Sequence, residues 1–209
     1  MRAPLASILE TCRTLEAARN GQSERTTSAL LRQISNNVGR LDRLLADVVE
    51  LQRLNWGATA LDRRPFDIAM LVGRVAARWA VGDRKPQVFT SSATVWLDPD
   101  KVERIIHELL TNVANHTPPN TPVWVRTRRN GAGILLVVED AGQGLPRELH
   151  TPDLEGSGDN GMGLLRSPGP GIGLSLVMRL AELHGGAAWI EDRPGGGTSV
   201  SVLLPGPPA

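Results

Sequence analysis

Three groups of residues have types and spacings that could do chemistry. The stretch Asp140-Ala141-Gly142-Gln143-Gly144-Leu145 leaves an apolar run and sets a carboxylate beside two glycines. Glycine lets a backbone approach a flat ligand, and a carboxylate accepts from an amine while rejecting a carbonyl, which suits the exocyclic amine of adenine. Read alone, Asp-x-Gly-x-Gly is also a common turn. Farther on, Pro168-Gly169-Pro170-Gly171-Ile172-Gly173-Leu174 runs into an amphipathic segment carrying Leu176, Val177, Leu180 and Leu183. Glycines at a helix N-terminus expose N–H groups at the positive end of the dipole, a phosphate site, although a capped helix after a glycine-rich loop gives the same pattern. No Gly-Lys-Ser/Thr follows, so this is not a Walker A loop, and without a preceding strand it is not the dinucleotide fingerprint. Upstream, Glu108, Asn112 and Asn115 fall at helical steps on one face. That face is either simply solvated or a magnesium and phosphate site, with Asn112 giving a neutral oxygen ligand and Glu108 ordering a metal-bound or attacking water. A zinc-protease helix would need His where Thr111 stands, which disfavours zinc.

These residues need elements to hold them. From Met1 to about Gly57 turn residues are scarce, and Leu5, Ile8, Cys12 and Leu15, then Leu31, Ile34, Val38, Leu41, Leu45 and Val48, fall in steps of three and four. With Asn20-Gly21-Gln22-Ser23 as the turn, the pattern predicts a helical hairpin with one shorter and one longer arm. A lone hairpin cannot cover its seam on both sides, whereas two close a four-helix bundle, so a homodimer is expected; packing of the seam on the rest of the same chain is the alternative.

After Trp56-Gly57 the pattern turns to mixed α and β, with Leu61 to Pro65 read as the junction. Asp67 caps a helix to about Ala80, and Gln87 to Thr90 and Thr94 to Leu97 suggest a β-hairpin. Asp98-Pro99 opens a helix to about Asn115, stopped by Pro118-Pro119. Val123 to Arg128 and Gly133 to Glu139 are strands, the second apolar enough for the centre of a sheet. The long stretch from Asp140 to Pro170 reads as a lid loop. A helix from about Gly171 to His184 and two strands, Ala187 to Glu191 and Thr198 to Leu204, joined through Pro194-Gly195-Gly196-Gly197, complete the order.

Composition narrows the class. The 209 residues, 41% hydrophobic, can build one large domain or two small ones. A net charge of +1 gives no general field for nucleic acid or an anionic membrane, so neither is an expected partner and any anion must be held locally. One cysteine, Cys12, excludes a disulfide framework and a Cys-based zinc cluster and points to a reducing, cytoplasmic compartment. The longest aliphatic run, Ile134 to Val138, is far short of the roughly 20 residues of a membrane helix, and no signal peptide pattern opens the chain.

Taken in order, the run from Glu108 through Asn112 to Thr117, Asp140-x-Gly-x-Gly144, Gly169-x-Gly-x-Gly-Leu174, and Gly197-Thr198 leading to Leu204-Pro205 resembles the ATP-binding domain of two-component sensor histidine kinases. Met1-Arg2-Ala3-Pro4-Leu5 is similar to the tail of that family's His-Glu-x-Arg-x-Pro-Leu box, which opens the dimerisation and phosphotransfer hairpin. The resemblance implies an α+β chain: a hairpin over residues 1–57 that dimerises as a four-helix bundle, then an α/β sandwich of the Bergerat type, shared with gyrase, Hsp90 and MutL, over 58–209.

It also implies ATP and Mg²⁺ as cofactors, and a response-regulator receiver domain as partner. Asn112 would coordinate Mg²⁺ together with Glu108, Asp140 would read the adenine amine, and Gly142 and Gly144 would shape the base pocket. Gly169, Gly171, Gly173 and Leu174 would form the phosphate loop, Thr198 would reach the base through water, and Arg166 is the basic lid residue for a phosphate. Asn115 stands where many members have a phosphate-contacting Lys, His116 where an aromatic stacks near the base, and the lid has no Phe. By the same resemblance the phosphoacceptor His would lie two positions before Met1, and His107, His116, His150 and His184 all fall outside the hairpin. The expected activity is therefore Mg-ATP binding within a histidine kinase core, with a non-catalytic nucleotide-binding module or a gyrase-like ATPase, using Glu108 on water, as alternatives.

Overall fold

A computed structural model of the chain describes residues 2–17, 24–57, 59–79, 84–144 and 172–206. It divides into two units, residues 1–52 and 53–209.

The first unit holds α1 (Arg2–Ala17) and the greater part of α2 (Glu24–Asn55), the expected short and long arms. Thr11 is buried, and Asn37 donates from Nδ2 to Ser7 Oγ at 3.1 Å, a polar tie between the arms within an otherwise aliphatic repeat. Ile34, Leu41 and Val48 are half-buried and Leu51 is buried. Leu31, Val38 and Leu45, seven residues apart, are more than half exposed, at 52%, 51% and 56%. The turn at 20–23 and the side chain of Leu5 lie outside the described residues.

In the second unit, β1 (Arg64–Asp67) runs into α3 (Ile68–Arg78), whose N-terminus Asp67 caps by accepting from the Met70 N–H at 3.0 Å. β2 (Gln87–Phe89) and β3 (Thr94–Leu97) precede α4 (Pro99–His116). Asp98 caps α4 through the N–H groups of Asp100 and Lys101, both at 3.1 Å, and Pro99 supplies a preset φ in the first turn. β4 (Val123–Asn130) and β5 (Gly133–Asp140) form a hairpin through Gly131, whose φ of 57° needs glycine. After α5 (Ile172–Leu183), β6 (Ala187–Asp192) and β7 (Thr198–Leu204) close the sheet.

The large sheet has the order β2-β4-β5-β7-β6, which puts β5 at its centre, where its apolar run is sheltered by a strand on each side. Residues 134, 136, 138 and 140 of β5 are buried and residues 135, 137 and 139 half-buried, so one face carries the core. α4 packs on α3, α5 and β5, and α5 on β6 and β7; Ile106, Leu110, Leu136, Leu176, Leu180 and Val202 have no exposure.

The expected hairpin of β2 with β3 is not formed. β2 pairs in parallel with β4, while β3 pairs antiparallel with β1 in a separate two-stranded sheet, Arg64 opposite Leu97 and Asp67 opposite Thr94. Accordingly the segment read as a junction enters a strand at Arg64, with Pro65 tolerated because a two-stranded sheet is all edge. β-propensity marks an extended segment; its partner is chosen by burial of Val95 and Leu97, which no local signal encodes.

Candidate nucleotide site

The second unit gathers four separated stretches at one end of β5 and α4. Asp140 ends β5, paired in register with Thr198 at the start of β7. Its side chain is 7% exposed, and its Oδ1 accepts from the Gly142 N–H at 2.8 Å. Burial pushes the Asp140 carboxyl above its ordinary range. The N–H groups of Gly142 and Thr198 and the positive charges of Arg84 and Arg193 pull the other way. Such a carboxylate has an oxygen to offer a donor and little water to compete for it.

The glycines around it are close-approach positions. A Cβ on Gly142 would lie 2.7 Å from Asp140 Oδ1 and 2.7 Å from Thr117 Cγ2, so the turn is pressed against the end of α4. Gly197, at φ 102°, would place a Cβ 1.9 Å from the Asp140 carbonyl oxygen, which lets β7 start directly beside Asp140. Gly144 also has positive φ, 78°, and faces the Gly197 carbonyl.

α4 supplies the polar face. Glu108 is 7% exposed; its Oε1 takes Arg104 at 3.2 Å and lies 3.6 Å from His107 Nδ1. A Cβ on Gly173, in the first turn of α5, would be 2.6 Å from Glu108 Oε2 and 3.5 Å from Asn112 Oδ1. Two hard oxygen donors therefore face the same helix N-terminus, a donor set that fits Mg²⁺ shared with phosphates. Among the described residues no group of three or more His, Cys, Asp or Glu could cage a metal by itself. Asn112 is half-buried, Asn115 and His116 are exposed, Leu174 is buried in α5, and Thr198 is buried beside Asp140.

Glu108, Asn112, Gly173 and Leu174 thus meet at the α4–α5 contact, and Asp140, Gly142, Gly144 and Thr198 at the β5–β7 end. Among the described residues, no hydrogen bond or ion pair joins Asn115 or His116 to either group. Arg166, Gly169, Gly171 and the lid lie outside the described residues. Sequence reading passed over Thr117, Arg84, Arg104 and Arg193. Thr117 stood within the recognised run, and Arg104 sits one turn before Glu108, a helical pair spacing; Arg84 and Arg193 come from loops and carry no periodic signal.

Residues 97–208 match the family described as histidine kinase-, DNA gyrase B- and HSP90-like ATPases. The chain belongs to this family. Its relatives include the histidine protein kinase DivJ of Caulobacter vibrioides, 30% identical over 215 residues that cover 98% of this chain and 35% of DivJ. The fold of the histidine kinase ThkA, solved in complex with the response regulator TrrA, matches with a TM-score of 0.73 at 17% identity over 98% of this chain and 59% of that one. Full-length ShkA in complex with AMPPNP matches at 0.68 and 21% identity, covering all of this chain and 44% of that one. The chain spans about a third of the length of the curated relatives it matches. It is a histidine-kinase-type chain with an ATP-binding domain of the Bergerat class and an N-terminal pair of helices. Among the described residues, no helix is long and apolar enough to cross a membrane.

Proposed function

We propose that this chain is the cytoplasmic dimerisation and nucleotide-binding core of a two-component histidine kinase, residues 1–57 forming the hairpin and 58–209 the catalytic domain. The meeting of Asp140 and Gly142 with the end of α4, and of Glu108 and Asn112 with the α5 N-terminus, carries the reading. Asp140 accepts from the adenine amine, and Gly142 and Gly144 leave room for the base. Thr198 holds the start of β7 beside it. The α5 N-terminus, with Gly169, Gly171 and Gly173, receives the phosphates; Arg166 is assigned to them from the lid. Asn112, with Glu108, holds Mg²⁺ against them. Bound there, Mg-ATP supplies the γ-phosphoryl group that a histidine kinase passes to a His and then to an Asp of a response regulator, the kind of partner seen with ThkA.

The hairpin, with its exposed row Leu31, Val38 and Leu45, pairs with a second copy as a four-helix bundle. Residues 1–57 contain no His: His107 and His116 lie on α4, His184 follows α5, and His150 lies outside the described residues. In-line transfer depends on placement, and a misplacement of about 1 Å costs on the order of 10²-fold. Glu108 keeps one oxygen toward the phosphates, so slow release of inorganic phosphate is compatible with the site.

The test is calorimetry with ATP and GTP, followed by incubation with γ-labelled ATP and Mg²⁺. ATP should bind more tightly than GTP by about 1.5–3 kcal/mol, one charged hydrogen bond, and Asp140→Asn should remove the preference. No acid-labile, base-stable phosphate should form on the chain. Equal affinity for the two nucleotides would overturn the role of Asp140, and phosphohistidine on any of the four histidines would overturn the mechanism.

A further inference from the structure

Just before β2, Arg84 is 6% exposed, and among the described residues its hydrogen-bond acceptors are carbonyls and a hydroxyl, with no carboxylate. Nε donates to the Pro119 carbonyl at 2.7 Å, and Nη2 to the Thr117 carbonyl at 3.3 Å. Nη1 donates to Thr117 Oγ1 at 3.0 Å and reaches the Val113 carbonyl at 3.4 Å. These acceptors are the last carbonyls of α4 and the turn after it, the negative end of the helix dipole, gripped by one planar fork. Thr117 in turn presses its Cγ2 on Gly142, whose N–H holds Asp140. A buried cation therefore sits three contacts from the carboxylate assigned to the base, with Thr117 and Gly142 between them.

We infer that Arg84 is a positioning residue for the nucleotide site, holding Thr117 and the end of α4 against the Asp140–Gly142 turn, so that Asp140 stays aimed at the base. The inference rests on the ATP-binding reading above. The groups facing Asp140 are the N–H of Gly142, the N–H of Thr198 on β7, and the guanidiniums of Arg84 and of Arg193 on the β6–β7 turn. Burial favours the acid form of Asp140; the N–H groups of Gly142 and Thr198 oppose it, and the charges of Arg84 and Arg193 add to them. Without Arg84 the carboxylate takes up its proton at a higher pH, and a protonated acid no longer accepts the amine as an anion.

The experiment measures ATP affinity by calorimetry across pH on the full chain and its Arg84→Gln, Arg84→Lys and Asp140→Asn variants. Failure of the unaltered chain to bind ATP overturns the ATP-binding reading and this inference with it. Given that binding, Arg84→Gln should weaken ATP about tenfold at pH 7.5. Its affinity should also begin to fall, on acidification, at a higher pH than in the unaltered chain. Arg84→Lys keeps the charge and reaches fewer acceptors, so its acid onset should stay in place while affinity still drops. Asp140→Asn should abolish the acid onset. A folded Arg84→Gln with an unmoved onset overturns the inference, as does an onset that survives in Asp140→Asn. If Arg84→Gln loses its helical circular dichroism, Arg84→Lys decides alone: wild-type affinity there also overturns it.

Discussion

The two units solve the problem of apolar surface in opposite ways. The second covers a sheet face with α3, α4 and α5, and its central side chains, among them Val72, Ile106, Leu136 and Leu180, have no more than 0% exposure. The first has two helices, which can shelter only the sides that face each other. Ile34, Leu41 and Val48 are half-covered, and Leu31, Val38 and Leu45 stand in the open, with Leu9 and Val49 besides. An αβ layer can be complete within one chain, whereas a helical hairpin with a heptad repeat leaves a face to be covered. The difference runs parallel to the roles proposed above: the self-sufficient unit carries the residues assigned to the nucleotide, and the incomplete one those assigned to assembly.

The largest expected effect breaks the self-sufficient unit. Gly197→Ala imposes a side chain at φ 102° and 1.9 Å from the Asp140 carbonyl, so the β5–β7 pairing must part. A loss of about 3 kcal/mol or more is expected, read as a lower melting midpoint together with lost ATP binding. Sedimentation should still show a dimer if the hairpin is the assembly element. Val38→Asp tests the other side. It puts a charge on the open heptad row at no expected cost to the monomer, and should weaken the dimer about 100-fold while leaving ATP affinity unchanged.

A smaller effect sharpens the comparison inside the site. Asn112→Ala should weaken Mg-ATP about tenfold and metal-free ATP much less, if the removed oxygen is the ligand of the ion proposed above. Equal losses with and without metal would remove Asn112 from the metal.

The smallest effect is on pH. His184 is 1% exposed; its Nδ1–H donates to the Leu180 carbonyl at 2.8 Å, and its buried Nε2 has no hydrogen-bond partner among the described residues. Burial holds its pKa below the ordinary 6.5. A depressed histidine pKa means that the unfolded chain binds the proton first, so stability is full above about pH 6.5 and falls as pH drops toward the folded value. His184→Gln should flatten that decline in the melting midpoint of the second unit between pH 7.5 and 5.5. The hairpin, which has no histidine in residues 1–57, should contribute none of it.

Most element positions were legible because their causes are local. Asp67 and Asp98 announce helix starts, Pro118-Pro119 a stop, and Gly185-Gly186 another, where the Gly186 N–H closes back on the Ala181 carbonyl at 2.9 Å. The candidate site stood out through the order of its glycines, carboxylates and carboxamides, which lie within short stretches of sequence. Pairing was not legible: β2 and β3 are adjacent in sequence and belong to different sheets, since a strand's partner is set by which face is buried. Nor was burial of polar groups. Glu108 read equally well as a solvated residue and is instead enclosed between Arg104 and Gly173.

By itself the sequence determined the periodicities, the caps and the four stretches that could bind a nucleotide, because each depends on residues within a turn or two of one another. Tertiary structure alone decided that Thr117 touches Gly142, that Glu108 and Asn112 face Gly173, and that Arg84 closes the end of α4. Those contacts join residues about 25 to 65 positions apart, and nothing short of the packed core brings such distant groups within van der Waals reach.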